Sequence, residues 1–187
     1  MDVIVGLGNP GQRYRHHRHN IGYDVIDALA ERHGIPVRRW EYEAVCGAGR
    51  VGTHATLLAK PQTFMNASGE AVVPLVRRYL RRHDLLVVVH DDIDLPLGKW
   101  RLKDGGGDAG HRGIRSITQC LQSDQYLRLR LGIGRPPRKE DVIDYVLSPF
   151  SPQEADARQA MIDEAVKRLE DLLNRAEVPT GGNITTT

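Results

Sequence analysis

The sequence Val3-Ile4-Val5-Gly6-Leu7-Gly8-Asn9-Pro10-Gly11 decides the fold of this chain, because an apolar run passes directly into a glycine-rich turn. An apolar run this short, bounded by turn residues, predicts a buried β-strand. The three glycines also match the spacing of the dinucleotide-binding pattern G-x-G-x-x-G. That pattern requires a helix that begins at the last glycine, so that helical N–H groups meet a pyrophosphate.

The residues that follow these glycines argue against a dinucleotide site. Pro10 interrupts the pattern, and the basic segment 12–19 has no apolar periodicity. No acidic residue closes a second strand about 20 residues further on, as the fingerprint requires. We therefore interpret the segment as a tight turn that presents Asn9 and, after a basic loop, His19. A dinucleotide-dependent enzyme is an alternative that rests on the glycine spacing alone.

The composition predicts one globular domain. The chain has 187 residues, of which 40% are hydrophobic and 27% charged, as is usual for a soluble protein with a single core. The longest apolar run, residues 85–89, is too short to span a bilayer, and no signal segment is apparent at the start. Cys46 and Cys120 have neither metal-site spacing nor a disulfide framework. We therefore expect a cytoplasmic protein.

Charge is unevenly distributed along the chain, although the formal net charge is only +2. Residues 151–187 are net acidic, and the rest of the chain is net basic, with basic residues gathered in segments 13–18, 99–103 and 128–139. Basic clusters beside glycine-rich turns are typical of proteins that bind a polyanion. The solvated faces of edge strands give similar clusters, so charge alone does not identify a partner.

Strand and helix patterns alternate along the chain. Strand patterns cover residues 3–7, 44–51, 53–59, 85–90, 99–103 and 127–133. Helical patterns run from Asn20 to a stop at Gly34, and over residues 67–82, 111–121, 140–147 and 153–174. This alternation predicts one α/β domain over residues 1–179, with a mixed twisted sheet covered by helices in a three-layer α/β/α arrangement. Residues 180–187 are predicted to be a disordered tail.

Polar residues follow several of the predicted strands. They are Asn9, the segment 63–66 and His90-Asp91-Asp92. Ligands of open α/β sheets lie outside the carboxyl ends of the strands, so these residues are predicted to converge on one site.

His19 is the candidate general base, because an imidazole titrates near neutral pH. No serine or cysteine nucleophile lies at a strand-to-helix elbow, so a base that activates water directly is favoured. Asp91 is suited to accept the Nδ1–H of this histidine and to fix its tautomer. The alternative for His19 is a helix-start residue that contacts neighbouring carbonyls.

Two further features each allow two interpretations. Asn66 precedes a helical pattern, and its spacing favours a helix N-cap over a donor to a substrate carbonyl. The glycine-rich segment 105–113 leads into a helix, with Lys103 before it and Arg112 within it. This arrangement favours a phosphate site over a surface loop that merely requires positive φ angles.

Metal binding is disfavoured by the sequence. Consecutive strand residues point to opposite faces, so Asp91, Asp92 and Asp94 are poorly placed to share one ion. His16, His17 and His19 lie in a basic loop, which makes a poor cage for a transition metal.

Five segments occur in order from residue 3 to about residue 150: VGLGNPG followed by Tyr14 and RHNIG; KPQTFMNASG; VVHDDIDLPLGKWRLK; GGGDAGHRG; and LRLGIGRP. Together they resemble the bacterial peptidyl-tRNA hydrolase family. The resemblance implies an α/β monomer that hydrolyses the ester between a peptide and the 3′ ribose of tRNA. It implies no metal and no cofactor, and it makes peptidyl-tRNA the partner.

The resemblance also implies residue roles. His19 is implied as the catalytic base and Asp91 as its orienting partner, while Asn9 and Asn66 match asparagines that bind near the terminal nucleotide and the peptide. The other matches are Tyr14 and Met65, which shape the cleft, Lys103 and Arg130, which grip the tRNA 5′ phosphate, and His111, which lines the site.

One position departs from the family pattern. Relatives often have Gly-His-Asn-Gly where this chain has Gly110-His111-Arg112-Gly113. The family asparagine is thought to hold water or substrate, and Arg112 suits either a phosphate contact or oxyanion stabilisation. A non-catalytic RNA-binding relative is the alternative function, and the presence of His19 and Asp91 argues against it.

Overall fold

The chain forms a seven-stranded sheet with helices on both faces, and the computed structural model describes residues 1–174. The strands are β1 (Asp2–Gly6), β2 (Arg39–Glu41), β3 (Ala44–Val51), β4 (His54–Pro61), β5 (Leu86–Asp92), β6 (Trp100–Asp104) and β7 (Leu127–Gly132). The helices are α1 (Ile21–His33), α2 (Ser68–Tyr79), α3 (Arg112–Leu121), α4 (Val142–Val146) and α5 (Ala155–Asn174). The predicted tail, residues 180–187, lies outside the described residues.

The sheet has the order β2-β3-β4-β1-β5-β7-β6 and is mixed, as predicted. Its centre is parallel, because β1 pairs with β4 and β5, and β5 pairs with β7 in the same direction. The β2–β3, β3–β4 and β6–β7 pairs are antiparallel. The carboxyl ends of four neighbouring strands therefore lie at one edge of the sheet, where a ligand site is expected.

Two hydrophobic cores lie on opposite faces of the sheet, which gives the predicted three layers. Ile4 of β1 packs in the core that contains residues of α1 and α5. Val3 and Val5 pack in the second core, with residues of α2 and α3. A strand buried on both faces is apolar at every position, and this explains the continuous run at the start of the chain.

Gly6 of the opening stretch and Gly22 of α1 allow close packing between β1 and α1. A Cβ placed on Gly6 would lie 2.1 Å from the carbonyl oxygen of Gly22, and one on Gly22 would lie 2.5 Å from the backbone nitrogen of Leu7. Gly11 instead has a φ of 98°, in the left-handed region that favours glycine. The glycines thus serve helix–strand packing and a bend at Gly11.

Two elements differ from the sequence-based expectation. The short edge strand β2 was not predicted, because its three residues alternate too briefly to give a pattern. Helix α2 ends at Tyr79 rather than at Arg82, since Leu80 is extended with a ψ of 131°. A separate 3-10 turn, Met65–Ala67, precedes this helix.

Candidate active site

An open cavity of about 580 Å³ lies at the carboxyl edge of the parallel strands. The segments after β1 and β4 contribute Asn9 and Asn66, and the end of β5 contributes Asp91. His19 comes from the 3-10 turn before α1, and His111 from the start of α3. The predicted convergence of distant polar segments on one site is therefore confirmed.

Asp91 joins two histidines in the wall of this cavity. Both of its carboxylate oxygens lie 2.8 Å from Nδ1 of His19, and Oδ1 also lies 2.8 Å from Nε2 of His111. The Asp91 side chain is 2% exposed, and the His19 side chain 12%. A nearly buried carboxylate thus holds both rings in fixed orientations.

The hydrogen bonds of His111 fix the tautomers in this cluster. Its Nδ1 accepts from the backbone N–H groups of Gly113 and Ile114 at 3.2 and 3.3 Å, as the N-cap of α3. The proton of the neutral ring must therefore reside on Nε2, which donates it to Asp91. The same carboxylate accepts the Nδ1–H of His19, and this leaves the His19 Nε2 lone pair available for a proton.

Asp91 stays ionised in this environment. Burial by itself raises the pKa of a carboxyl group, but the imidazoles of His19 and His111 outweigh burial and hold the pKa of Asp91 well below its ordinary value. The carboxylate is thus suited to orient an imidazole and to stabilise it when it takes up a proton.

His19, Asp91 and His111 also place three donor atoms within 4.8 Å of one another. A metal ion at Nε2 of His111 would displace the proton to Nδ1 of the same ring. Two backbone N–H groups already point at that nitrogen. A protonated Nδ1 would therefore face two donors, and none of the three N–H groups would have an acceptor. The trio therefore does not fit a metal ion in this arrangement, and its bonds suit proton transfer.

Asn9 is oriented by a residue that sequence reasoning did not single out. The amide of Asn20 accepts from the Asn9 backbone N–H at 2.9 Å and donates to the Asn9 carbonyl at 2.8 Å. The Asn9 side-chain oxygen accepts from the backbone N–H of Met65 at 2.8 Å. Its amide nitrogen is therefore the end that remains to donate to a ligand.

Asn66 is not the helix cap that its spacing favoured. It lies inside the 3-10 turn, Ala67 occupies the N-cap position of α2, and neither residue makes a side-chain capping bond. The Asn66 side chain is exposed in the cavity wall and has no hydrogen-bond partner within residues 1–174. The cap interpretation is wrong, and the amide is available to a ligand.

Apolar side chains line two sides of the cavity. Met65 is buried beside Asn9, and Phe64 is 61% exposed, with the ring of Tyr14 edge-on to it at 6.5 Å. Tyr14 itself lies beyond the cavity lining. A second apolar side comes from α4 and the residue after it: Val142, Ile143, Val146 and Leu147. Sequence reasoning missed this side, because only tertiary packing brings α4 against the strand ends.

Basic side chains surround the cavity mouth, as their clusters in the sequence suggested. Lys103 and Arg112 are exposed and have no carboxylate within 4 Å among residues 1–174. Arg130 lines the same cavity, but its Nε donates to Asp92 at 2.6 Å. Arg128 is 2% exposed and donates to the Gly107 carbonyl at 2.7 Å, so it supports the glycine-rich loop.

The structure limits two sequence-based interpretations of anion binding. The glycine-rich segment 105–113 was interpreted as a phosphate site, but the N–H groups of Gly113 and Ile114 cannot contribute to it, because the side chain of His111 already accepts them. Arg18 was counted in a basic cluster for a polyanion. It is instead buried in a two-bond pair with Glu154, at 2.9 Å for each bond.

Comparisons with known proteins give one consistent result. A family model described as peptidyl-tRNA hydrolase matches residues 3–182. The peptidyl-tRNA hydrolase of Moorella thermoacetica is 47% identical over 171 residues, which cover 91% of this chain and 90% of that protein. The one from Geotalea uraniireducens is also 47% identical and covers 91% of this chain. A crystal structure of peptidyl-tRNA hydrolase from Acinetobacter baumannii has a TM-score of 0.87 at 37% identity, covering 92% of this chain and 88% of its own.

Proposed function

Because this chain belongs to the peptidyl-tRNA hydrolase family, we propose that its cavity hydrolyses the ester bond between a peptide and the 3′-terminal ribose of a tRNA. The products are a free peptide and a free tRNA, so the reaction recycles tRNA from stalled translation. One observation supports this proposal above others. His19 lines the cavity with Nδ1 held by Asp91 at 2.8 Å, and its Nε2 has no partner within residues 1–174.

His19 acts as the general base in this mechanism. Its Nε2 takes a proton from a water molecule while the water oxygen attacks the ester carbonyl carbon. The resulting imidazolium is stabilised by the ionised Asp91, which keeps its own charge. The imidazolium then returns the proton to the 3′ oxygen of the ribose as the ester C–O bond breaks. No covalent intermediate with the protein is needed, because an ester is reactive enough for direct attack by water.

Two asparagines donate hydrogen bonds to the substrate in this mechanism. The amide nitrogen of Asn9 is fixed by Met65 and Asn20, and it donates to an acceptor on the terminal nucleotide. The unpartnered amide of Asn66 donates to the peptide amide or to the developing oxyanion. Recognition of a peptide amide distinguishes a peptidyl ester from an aminoacyl ester, which lacks that group. The apolar side formed by Phe64 and Met65 shields the reacting ester from bulk water.

The cations at the cavity mouth bind the tRNA acceptor end. Lys103 and Arg130 hold the 5′ phosphate, and Asp92 fixes the direction of the Arg130 guanidinium. The Lys103 ammonium lies against Gly106, where a Cβ would come within 2.5 Å of Nζ. Because these contacts are made to phosphates, they add affinity for any tRNA rather than for one sequence.

The proposal is tested with a purified peptidyl-tRNA in a single-turnover cleavage assay. We expect His19→Ala to lose cleavage by at least about a hundredfold, since general-base catalysis contributes about 10²–10⁴-fold. Its affinity for tRNA should stay within about twofold, because the phosphate contacts remain. Near-normal cleavage by this variant would overturn the assignment of the base. Failure of the unaltered protein to cleave would favour a non-catalytic RNA-binding relative.

We also propose a cellular location and an oligomeric state for this protein. No helix within residues 1–174 is long and apolar enough to cross a membrane. We assign the protein to the cytoplasm, where peptidyl-tRNA arises, and expect it to act as a monomer. Light scattering on the purified chain tests the oligomeric state, and a stable dimer would contradict it.

A further inference from the structure

A second basic surface lies at the opposite edge of the sheet from β6. We call it the arginine–aromatic surface and define it by Tyr42, Arg77, Arg81 and Arg82. Tyr42 is 45% exposed and lies in the turn after the edge strand β2, whereas Trp40 of that strand points to the opposite face of the sheet. The three arginines belong to the sequence Arg77-Arg78-Tyr79-Leu80-Arg81-Arg82 at the end of α2.

The arginines and one aromatic ring share a shallow groove. Its lining comes from Tyr42, Pro74, Arg77, Arg78 and Arg81. This groove brings the β2–β3 turn against the last turn of α2. An exposed ring beside guanidinium groups is a recurrent arrangement for single-stranded nucleic acid, because bases stack on the ring and phosphates bind the cations.

Most of the positive charge on this surface is not neutralised. Arg78 pairs with Glu41 at 3.5 Å, and the same carboxylate takes Arg39 at 2.8 Å. The guanidinium groups of Arg77, Arg81 and Arg82 form no ion pair within 4 Å in the described part of the chain, and Asp84 contacts Arg81 only through its backbone N–H, at 2.7 Å. Three exposed cations therefore remain for an anionic partner.

The turn that holds Tyr42 is strained. Tyr42 and Glu43 have φ values of 47° and 55°, in the left-handed region that is normally left to glycine or asparagine in such hairpin turns. Each such residue costs on the order of 1 kcal/mol. The Tyr42 side chain makes no hydrogen bond within residues 1–174, so local bonding does not offset this cost. The two-residue turn between Glu41 and Ala44 requires such angles, and it presents the Tyr42 ring at the tip of the hairpin.

The ordinary role of basic residues at a helix end explains only part of this surface. Cations favour the negative end of a helix dipole, and Arg81 donates to the carbonyls of Arg78 and Leu80 at 3.1 and 3.4 Å. This role does not account for Arg82, which lies beyond the helix, or for the exposed ring of Tyr42.

We propose that the arginine–aromatic surface binds single-stranded RNA that is separate from the acceptor end in the cavity. Six strand spacings separate β2 from β6, which is about 29 Å at ~4.8 Å for each spacing. An acceptor end held by Lys103 on β6 therefore leaves this surface open to a second RNA segment. Its phosphates pair with Arg77, Arg81 and Arg82, and a base stacks on Tyr42. The proposal does not depend on ester hydrolysis in the cavity.

Fluorescence anisotropy with a labelled single-stranded RNA of about 12 nucleotides tests the charge contribution. The variant Arg77→Ser/Arg82→Ser removes two exposed cations that make no hydrogen bonds in the described residues. We expect its Kd to rise at least about tenfold, and the slope of log K against log salt to fall by about 1.4, which corresponds to two lost phosphate contacts.

The double variant Arg50→Ser/Lys167→Ser is the matched control, because it removes the same charge from exposed positions elsewhere. Its Kd should stay within about twofold of the original value. Cleavage of peptidyl-tRNA should be unchanged in both double variants. Equal weakening of RNA binding by the control pair would overturn the proposal, as would unchanged binding by Arg77→Ser/Arg82→Ser.

Substitution of the exposed ring tests the stacking contribution. We expect Tyr42→Ser to raise the Kd for the single-stranded RNA at least about fivefold, because base–aromatic stacking contributes to such binding. Trp40→Ser is the control, because Trp40 is exposed on the opposite face of the sheet, and its Kd should stay within about twofold of the original value. Unchanged binding by Tyr42→Ser would overturn stacking on this ring. Neither a minihelix with the acceptor stem nor polyglutamate should displace the RNA at matched concentration. Displacement by the minihelix would place the RNA in the cavity, and displacement by polyglutamate would reduce the surface to a general polyanion site.

Discussion

The Nε2 atom of His111 lies 2.8 Å from Oδ1 of Asp91, while the Nδ1 atom of the same ring caps α3. One imidazole therefore links the start of a helix to the carboxylate that holds the proposed base. Nδ1 accepts two backbone N–H groups for as long as the first turn of α3 is formed, so the ring proton stays on Nε2. His111 therefore acts as a donor to Asp91 and not as an acceptor.

This link predicts that His111 positions Asp91 for catalysis. His111→Asn keeps a side chain that caps helices well, but it is too short to reach the carboxylate. A hydrogen bond to a charged group contributes about 1.5–3 kcal/mol, so we expect kcat to fall by about ten- to a hundredfold with KM nearly unchanged. Single-turnover cleavage and steady-state kinetics measure the two effects separately.

His111→Ala serves as the comparison, because it removes both the cap and the bond to Asp91. It should lose as much kcat as His111→Asn and should unfold at a lower temperature, since loss of an N-cap costs about 1 kcal/mol. If only His111→Ala lost activity, the histidine would matter through helix stability and not through Asp91.

Asn20 is predicted to act through the orientation of Asn9. Asn20→Ala removes both bonds to the Asn9 backbone, so the amide that faces the substrate loses its support. We expect kcat/KM to fall by about tenfold, mainly through KM, while the pH dependence of kcat keeps its shape. A changed pH profile in Asn20→Ala would indicate that His19 had moved instead.

The asparagines show which parts of the candidate site could be predicted from the sequence and which could not. The convergence of Asn9 and Asp91 followed from strand ends, because parallel strands deliver their carboxyl ends to one edge. His19 was singled out by its residue type and by the family resemblance, since it follows no strand. Local spacing could not assign the asparagine amides. Asn66 precedes a helix and yet makes no cap, and Asn20 begins a helix and bonds to a turn 11 residues earlier in the chain. Their partners are set by tertiary packing, which no local pattern records.

Strands and helices show the same difference between what a local pattern predicts and what tertiary packing determines. The order of strands and helices was predictable, since each has its own hydrophobic period over several residues. The edge strand β2 could not be predicted, because three residues are too few to show a pattern. The apolar side of the cavity could not be predicted either, because it forms only where α4 packs against the strand ends. The pairing of Arg18 with Glu154 was hidden for the same reason, since 136 positions separate the two residues.

Lys103 provides a test of the phosphate contact that avoids a buried partner. Lys103→Ala removes an exposed cation with no carboxylate within 4 Å in the described chain. We expect KM for peptidyl-tRNA to rise severalfold, and the slope of log(kcat/KM) against log salt to fall by about 0.9 if the phosphate is part of a duplex end. An unchanged salt slope would place the 5′ phosphate elsewhere. Arg130→Ala is a poorer test, because it leaves the Asp92 carboxylate buried without its cation.

Arg112 is predicted to contact a phosphate rather than the oxyanion. Its side chain is exposed at the cavity mouth, where water screens charge and phosphates are accessible. Arg112→Asn removes the charge and should raise KM and lower the salt slope by about 0.7–0.9, with kcat within about twofold. A fall of a hundredfold in kcat would instead assign Arg112 to oxyanion stabilisation.

His90 is predicted to make the fold sensitive to acid. Burial lowers the pKa of His90 to about 3, whereas the unfolded chain takes up this proton near pH 6.5. Between these values the unfolded state binds more protons, so the free energy of unfolding falls as pH drops, by up to about 1.4 kcal/mol for each pH unit. The lowered pKa of Asp91 contributes a loss only below about 3.8, where the unfolded carboxyl takes up its proton.

Urea unfolding between about pH 7 and pH 4.5 measures this contribution of His90 when the unaltered protein is compared with a variant at position 90. Asp91 is ionised in both states over that range, and the other groups with shifted pKa values are common to both proteins. His90→Gln keeps a donor for the carbonyl that His90 Nδ1 now contacts, at 2.7 Å, and removes the titrating group. We expect a shallower loss of stability with acid in this variant. His83→Gln alters an exposed histidine and should keep the original slope. If His90→Gln lost stability as steeply as the unaltered protein, another group would have to bind the proton on unfolding.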